Sequence, residues 1–174
     1  MGEEAVVETL ILDDKSPAKR ATQRWGTEME AKAGVGVWMW WRDGSCSDHS
    51  QVGAAAVWKH GNEWRTPRSY LCTRRMEVID AELWANGLLL GETVKRRHRL
   101  QQHGVRSVAV CSDSQAAIRR VQHLEPVPGQ LLGRWTNRKA RNHLSLSIET
   151  EIHWVLGQSG IPWNAEVDRQ PNVS

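Results

Sequence analysis

Apolar residues in the first half of the chain form runs that predict β-strands. Residues 35–41 (VGVWMWW) are almost continuously apolar, which is typical of a central strand. The runs at 53–59 and 63–72 are also strand-like, and the Gly-Asn pair between them predicts a hairpin. Pro67 interrupts the second of these runs. Because proline cannot donate a ladder hydrogen bond, we expect this strand at a sheet edge or with a bulge.

The second half of the chain alternates helical and strand-like patterns. It predicts, in order, a helix over 77–92, a buried strand over 105–111, a helix that opens at Asp113 or Ser114, a helix over about 129–143, a strand over 148–156 and a short last helix that carries Asp168. The whole order is β-β-β-α-β-α-α-β-α. Hairpin-linked strands followed by α/β crossovers predict an α/β fold, with a five-stranded mixed sheet and helices on both faces.

The first 32 residues differ in pattern from the rest of the chain. Ser16 and Pro17 predict an N-cap and a first helical position, and a short charged stretch follows over 18–25. We therefore interpret residues 1–32 as a connector or appended segment, and residues 33–174 as the α/β domain.

Composition narrows the class of protein. The 174 residues are 40% hydrophobic and 25% charged, which fits one globular domain and not a disordered chain. No apolar run could span a bilayer and the N-terminus lacks the pattern of a secretory signal, so we expect an intracellular protein, nuclear or cytoplasmic. Cys46, Cys72 and Cys111 form no close pair, which argues against a disulfide framework and against a zinc site.

The distribution of charge favours a polyanionic partner. The formal net charge is only +3, but basic residues concentrate at 95–99, at 119–120 and from 134 to 141. Such clusters attract phosphate backbones, although solvated helix faces can have the same composition. Ten tryptophans accompany one tyrosine and no phenylalanine, and we expect most of these rings in the core and a few free to stack on bases.

Four carboxylates stand where this topology can bring them together. Asp43 follows the first predicted strand, Glu82 lies on the first long helix, Asp113 ends the fourth strand, and Asp168 lies on the last helix. A single aspartate at a strand end is more often a helix cap than a ligand. Converging carboxylates, however, repel one another unless cations lie between them, and Mg²⁺ prefers oxygen ligands. Two such ions can hydrolyse a phosphodiester.

Four segments around these carboxylates resemble, in order, the motifs of the type 1 ribonuclease H family. They are residues 41–46 (WRDGSC), 80–85 (DAELWA), 112–118 (SDSQAAI) and 154–168 (WVLGQSGIPWNAEVD). The resemblance covers residues 35 to about 172 and is greatest to the ribonuclease H domain that follows reverse transcriptase in fungal non-LTR retrotransposons. Glu77 offers another match to the second motif, but the apolar pattern that follows Glu82 fits the family better.

The resemblance implies a ribonuclease H-like fold and an endonuclease that hydrolyses the RNA strand of RNA/DNA hybrids with two Mg²⁺ ions, for which Mn²⁺ can substitute. It implies four metal ligands, namely Asp43, Glu82, Asp113 and Asp168. It further implies contacts with the hybrid backbone from Gly44, Ser45 and Cys46, and contacts with its minor groove from Gln115 and Asn164. A reverse transcriptase domain in a longer parent protein is the implied protein partner.

The chain departs from the family pattern at several positions. Gln158 stands where the family usually has a catalytic histidine, and an amide cannot transfer a proton near neutral pH. Arg42 replaces the usual threonine before Asp43. The basic protrusion of some bacterial relatives is not evident, and cationic residues of the helix over 129–143 are candidates to replace it in binding nucleic acid, namely Arg134, Arg138, Lys139 and Arg141.

These departures leave two main hypotheses. The first is an active nuclease, favoured by the four carboxylates. The second, favoured by Gln158, is a catalytically impaired ribonuclease H-like module of a retroelement that only binds nucleic acid. A third, an integrase or junction resolvase on the same fold, fits the motifs at 112–118 and 154–168 less well.

Overall fold

A computed structural model describes residues 8–10, 24, 28, 37–46, 51–60, 63–65, 68–72, 77–123 and 130–155. The described part is a mixed α/β structure. Its strands are β1 (Glu8–Leu10), β2 (Val37–Cys46), β3 (Gln51–His60), β4 (Glu63–Arg65), β5 (Arg68–Cys72), β6 (Ser107–Ser112) and β7 (Glu149–Trp154). Its helices of six residues or more are α1 (Val78–Lys95), α2 (Arg97–Gln102), α3 (Gln115–Gln122) and α4 (Gln130–Leu144).

The strands form one sheet in the order β1-β7-β6-β2-β3-β4, with β5 also paired to β3. Strands β1, β7, β6 and β2 are parallel to one another, whereas β3 is antiparallel to β2 and to both β4 and β5. The described part therefore has seven strands, where the sequence predicted five. The mixed character of the sheet is confirmed.

The difference in strand number has two causes. The predicted strand over 63–72 is divided into β4 and β5, on either side of Thr66 and Pro67. His60 pairs with Glu63 and Ala55 with Arg68, so both pieces follow β3 in a single register, and the predicted hairpin is confirmed. The other addition is β1, a three-residue strand from the segment interpreted as a connector. It was not predicted because three residues are too short to show a period.

The core lies between the sheet and a layer formed by α1, α3 and α4. In-register neighbours on the central strands, Trp40, Val110 and Ile152, are buried in it, together with helix residues such as Leu89 and Ile118. The predicted helices over 77–92 and 129–143 are confirmed, and α2 is an addition. A helix on the opposite face of the sheet was also predicted, but the last helix falls outside the described residues.

Hydrogen bonds between helices show that α1 and α4 run in the same direction. The Thr136 hydroxyl donates to the carbonyl oxygen of Leu83 (3.2 Å), and the His143 ring, through Nε2, contacts the carbonyl oxygen of Leu90 (2.9 Å). His143 Nδ1 also lies 2.9 Å from the hydroxyl of Thr150, near the start of β7. The C-terminal halves of both helices therefore lie near the start of the parallel strands, and the N-terminal half of α1 lies near the strand ends.

Candidate active site at the carboxyl ends of the strands

The loop that carries Asp113 is held by three hydrogen bonds. The Ser114 hydroxyl accepts from the backbone N–H of Ala117 (3.2 Å), and the Ser112 hydroxyl accepts from the backbone N–H of Ser114 (3.1 Å). The indole of Trp154 donates to the carbonyl oxygen of Asp113 (3.0 Å). Ser114 is therefore the N-cap of α3, and Asp113 is exposed at the strand end. Because Ser114 caps this helix, the alternative interpretation of Asp113 as the capping residue is wrong.

Asp43 and Asp113 occupy equivalent positions relative to the parallel ladder of β2 and β6. Trp41 pairs with Cys111 in the parallel ladder of β2 and β6, and each aspartate follows its member of that pair by two residues. Neighbouring strands are about 4.8 Å apart, so the two backbones are close at the Trp41–Cys111 pair, just before the two aspartates. For Asp43 the structure describes the backbone alone.

The prediction that the first strand ends before Asp43 is wrong. Strand β2 continues to Cys46, and Asp43, Gly44, Ser45 and Cys46 all pair with β3 in the antiparallel ladder. Pairing with β3 extends the strand although its other neighbour, β6, stops at Ser112. The segment predicted to approach the hybrid backbone is thus a strand extension at this end of the sheet.

Glu82 lies on the side of α1 that faces β2, and its side chain is 5% exposed. The Trp40 indole donates to the hydroxyl of Thr93 (2.9 Å), which fixes the face that α1 turns to β2. Glu82 lies eleven residues, or about three turns, before Thr93. It is therefore on the same face of α1, about 16 Å nearer the start of the helix. Asp43 lies about 10 Å beyond Trp40 in β2, and the antiparallel course of α1 brings Glu82 towards the same end.

The alternative glutamate, Glu77, belongs to the start of α1. It is exposed at the N-cap position, and its backbone N–H donates to the Asp80 carboxylate (3.0 Å). An acidic residue in the first turn also interacts favourably with the helix dipole. Glu77 and Asp80 therefore have a role in capping the helix, whereas Glu82 lies buried on the sheet-facing side of α1.

The donor set fits a hard divalent cation. Asp113, Glu82 and Asp43 carry carboxylate oxygens, which Mg²⁺ and Mn²⁺ prefer over the nitrogen and sulfur ligands that suit zinc. Among the side chains that the structure describes, no cluster of three or more histidine, cysteine or acidic groups could hold a metal ion. The side chain of Asp43 and all of Asp168 lie outside that set, as do Gln158 and Asn164.

The predicted nucleic-acid contacts fall in two places. Gln115 is the first residue of α3, two residues after Asp113, and its amide oxygen lies 3.5 Å from a guanidinium nitrogen of Arg119. Arg134 and Arg138 are exposed on α4, whereas Lys139 is partly buried, with its ammonium 5.7 Å from the ring centre of Trp135. Gln115 is therefore at the carboxylate end, and the α4 cations form a separate surface.

The basic cluster at 95–99 is partly engaged within the fold. Lys95 and Arg96 both form ion pairs with Glu92, and the Arg96 guanidinium lies 4.8 Å from the centre of a Trp58 ring. Burial raises the pKa of Glu92, but hydrogen bonds and the charges of both cations outweigh it, and the net pKa is lowered. These contacts within the protein explain the presence of Lys95 and Arg96, so these two residues are not evidence for a nucleic-acid partner.

The Trp154 contact is the feature of the site that sequence reasoning missed. Trp154 was recognised as part of the last motif, but its bond to the Asp113 carbonyl joins residues 41 positions apart. The parallel register, in which Ser112 pairs with Trp154, brings the two together. Only the order of the strands could have indicated this contact, because no local pattern encodes it.

Comparison of the sequence with models of protein families and with curated proteins gives no match. The function is therefore inferred from the residues of the site. No helix among the described residues is long and apolar enough to cross a membrane.

Proposed function

We propose that this protein is a ribonuclease H-like endonuclease that hydrolyses the RNA strand of RNA/DNA hybrids by a two-metal-ion mechanism. The observation that carries the proposal is that Asp43 and Asp113 each follow the Trp41–Cys111 pair of the parallel ladder by two residues, with the buried Glu82 in the N-terminal half of α1. In open α/β sheets, functional crevices form outside the carboxyl ends of the strands.

The order of elements supports the same proposal. Apart from β1, the division of the third predicted strand and the short α2, the described elements follow the predicted order β-β-β-α-β-α-α-β. The four motif segments resemble those of type 1 ribonuclease H in the same order along the chain. Agreement between motif order and element order is a stronger support than any one carboxylate.

Asp43, Glu82, Asp113 and Asp168 would hold the two ions. When bound, such ions activate a water molecule and stabilise the leaving oxygen of a phosphodiester. Glu82, buried on the side of α1 that faces β2, would supply one of these ligands. Asp113 is exposed and so open to a phosphodiester, and the Gln115 amide beside it can hydrogen-bond a base edge or a 2′-hydroxyl.

The second candidate is a module that binds hybrids without efficient cleavage. Gln158 cannot take up and release a proton as the usual histidine would. His153, five residues earlier, is hydrogen-bonded to Glu151 on the same strand (2.6 Å), which engages its Nε2 away from such a role. If this candidate is correct, the chain binds hybrids but cleaves them slowly, and Gln158→His raises the rate.

The test is cleavage of a labelled RNA/DNA hybrid in Mg²⁺ and in Mn²⁺, with Asp113→Asn as the control. We expect metal-dependent cleavage of the RNA strand and a loss of about 100-fold or more in the variant. Absence of metal-dependent cleavage by the native chain would exclude the nuclease. Equal cleavage by the variant would show that Asp113 is not part of the site.

A further inference from the structure

The outer face of α4 carries three arginines in a row. Arg134, Arg138 and Arg141 are exposed, and their spacing of four and then three residues places them along one side of the helix. Over seven residues the row is about 10.5 Å long. Leu131, at its start, is 83% exposed.

No acidic group lies on α4 beside Arg134 and Arg138. The helix contains no aspartate or glutamate, and none occurs anywhere from 126 to 148. Among the described residues, neither Arg134 nor Arg138 takes part in an ion pair. The adjacent cation, Lys139, is directed differently, because one residue further along a helix is a rotation of about 100° that brings it over Trp135.

The opposite side of α4 is occupied by the rest of the fold. Gly133 packs against the backbone of Arg120 at the end of α3, Thr136 and His143 bond to α1, and Ala140 lies in the core. The arginine row therefore points away from the sheet. Its first residue is nearest the end where Asp113 lies, because α4 runs from the strand ends towards the strand beginnings.

We propose that Arg134, Arg138 and Arg141 form a second nucleic-acid-binding surface, separate from the carboxylate site and independent of metal. One nucleic-acid strand carries a phosphate about every 3.4 Å of axis, so four successive phosphates extend about 10.2 Å, which matches the length of the row. Guanidinium groups present planar donors that suit phosphate oxygens. The surface goes beyond the proposed nuclease, because binding here requires neither catalysis nor the four carboxylates.

An anionic membrane surface is a poorer match for this face. A helix that lies on a membrane inserts an apolar side between the lipids, whereas the apolar side of α4 is buried in the core. The two exposed leucines of α4, Leu131 and Leu144, stand near its opposite ends and would provide little insertion. A phosphate backbone requires only exposed cations at a regular spacing, and the row provides these.

The test measures binding of the full chain to a fluorescent 18-base-pair RNA/DNA hybrid in EDTA, over a series of salt concentrations. The double variant Arg134→Gln/Arg138→Gln should weaken binding by about tenfold or more and reduce the slope of log Kd against log salt by about two. Adding Arg141→Gln should reduce the slope by about one more. EDTA removes any contribution from metal, so this result is independent of whether the chain is a nuclease.

The matched control is Arg24→Gln/Arg106→Gln, which removes the same charge from two exposed arginines outside α4. We expect it to change the affinity by less than about threefold and to leave the slope nearly unchanged. If the two double variants behave alike, only net charge matters and the proposed surface is wrong. An unchanged slope in the α4 variant would also refute it, provided that thermal unfolding shows both variants folded.

Discussion

Trp154 and Asp113 are joined by a hydrogen bond of 3.0 Å between the indole nitrogen of the first and the main-chain oxygen of the second. The next residue, Val155, donates its backbone N–H to the carbonyl oxygen of Ser112 (2.9 Å). The end of β7 thus holds the loop that presents the exposed carboxylate. The position of Asp113 depends on a side chain that would not itself touch metal or substrate.

Replacement of Trp154 by phenylalanine should therefore weaken metal binding. Trp154→Phe keeps an aromatic ring but removes the N–H donor, so the Asp113 loop loses one of its fixed points. We expect the affinity for Mn²⁺, measured by calorimetric titration, to fall by about tenfold, as for residues that orient a ligand. The free energy of unfolding should fall by about 1 kcal/mol.

Trp40→Phe is the control for this experiment. It removes an indole donor of the same kind, the one bonded to Thr93, on a strand of the same sheet. We expect a similar or larger loss of stability but an unchanged affinity for Mn²⁺. Equal affinities in the two variants would mean that Trp154 contributes to stability alone.

A matched pair of variants can decide which glutamate, Glu82 or Glu77, is the metal ligand from α1. Glu82→Gln removes a buried carboxylate on the sheet-facing side, and Glu77→Gln removes an exposed one at the helix start. We expect the first to reduce hybrid cleavage by about 100-fold and the second to change it by less than about twofold. The reverse ranking in a gel-based cleavage assay would assign the ligand to Glu77.

Gly87 should be indispensable to the contact of α1 with α4. A β-carbon at this position would lie 2.0 Å from a ring carbon of Trp135, which stacks on Trp84 with ring centres 4.8 Å apart. We expect Gly87→Ala to lower the free energy of unfolding by about 2 kcal/mol, since the ring must move. Urea unfolding measures this change.

Gly91→Ala is the matched control, one turn further along the same helix. Among the described residues, its β-carbon would meet nothing closer than the Lys139 side chain at 4.0 Å. Alanine is favoured over glycine in a helix interior, so we expect a gain of up to about 1 kcal/mol. If Gly87→Ala and Gly91→Ala lowered the free energy of unfolding by similar amounts, the loss at Gly87 could not be attributed to the Trp135 ring, and the packing explanation would be wrong.

Stability should fall on mild acidification because of His143. This buried ring lies between Leu90 and Thr150, and burial lowers its pKa from the ordinary value of 6.5, although the Leu90 carbonyl opposes the shift. Below about pH 6.5 the unfolded chain therefore binds a proton that the folded chain does not. The free energy of unfolding therefore begins to fall near pH 6.5, and it continues to fall until the pH reaches the lowered pKa of His143.

The measurement is urea unfolding between pH 7.5 and pH 5, for the native chain and for His143→Gln. Glutamine can still donate to the Leu90 carbonyl but does not titrate. We expect the variant to be less stable at pH 7.5 and to lose less stability on acidification, by up to about 1.4 kcal/mol per pH unit in the affected range. Parallel stability curves would show that other groups cause the pH dependence.

The sequence predicted the central strands and the helices well, because their apolar residues recur with a clear period. It did not predict the extension of β2 through Cys46, since the residues after Trp41 are polar and only pairing with β3 makes them a strand. It also grouped Lys139 with Arg138, although a rotation of about 100° separates neighbouring helix residues. A contact between distant segments decided the first of these points, whereas the geometry of a single helix decided the second.

The pairing of β1 with β7 has a consequence for any shortened form of the protein. Glu8 to Leu10 lie against Glu151 to His153, so they cover the outer edge of β7. A fragment that begins at residue 33, where the composition changes, would leave those backbone groups open to strands from other molecules. Such a fragment should self-associate through β7, and a soluble expression product should begin before residue 8.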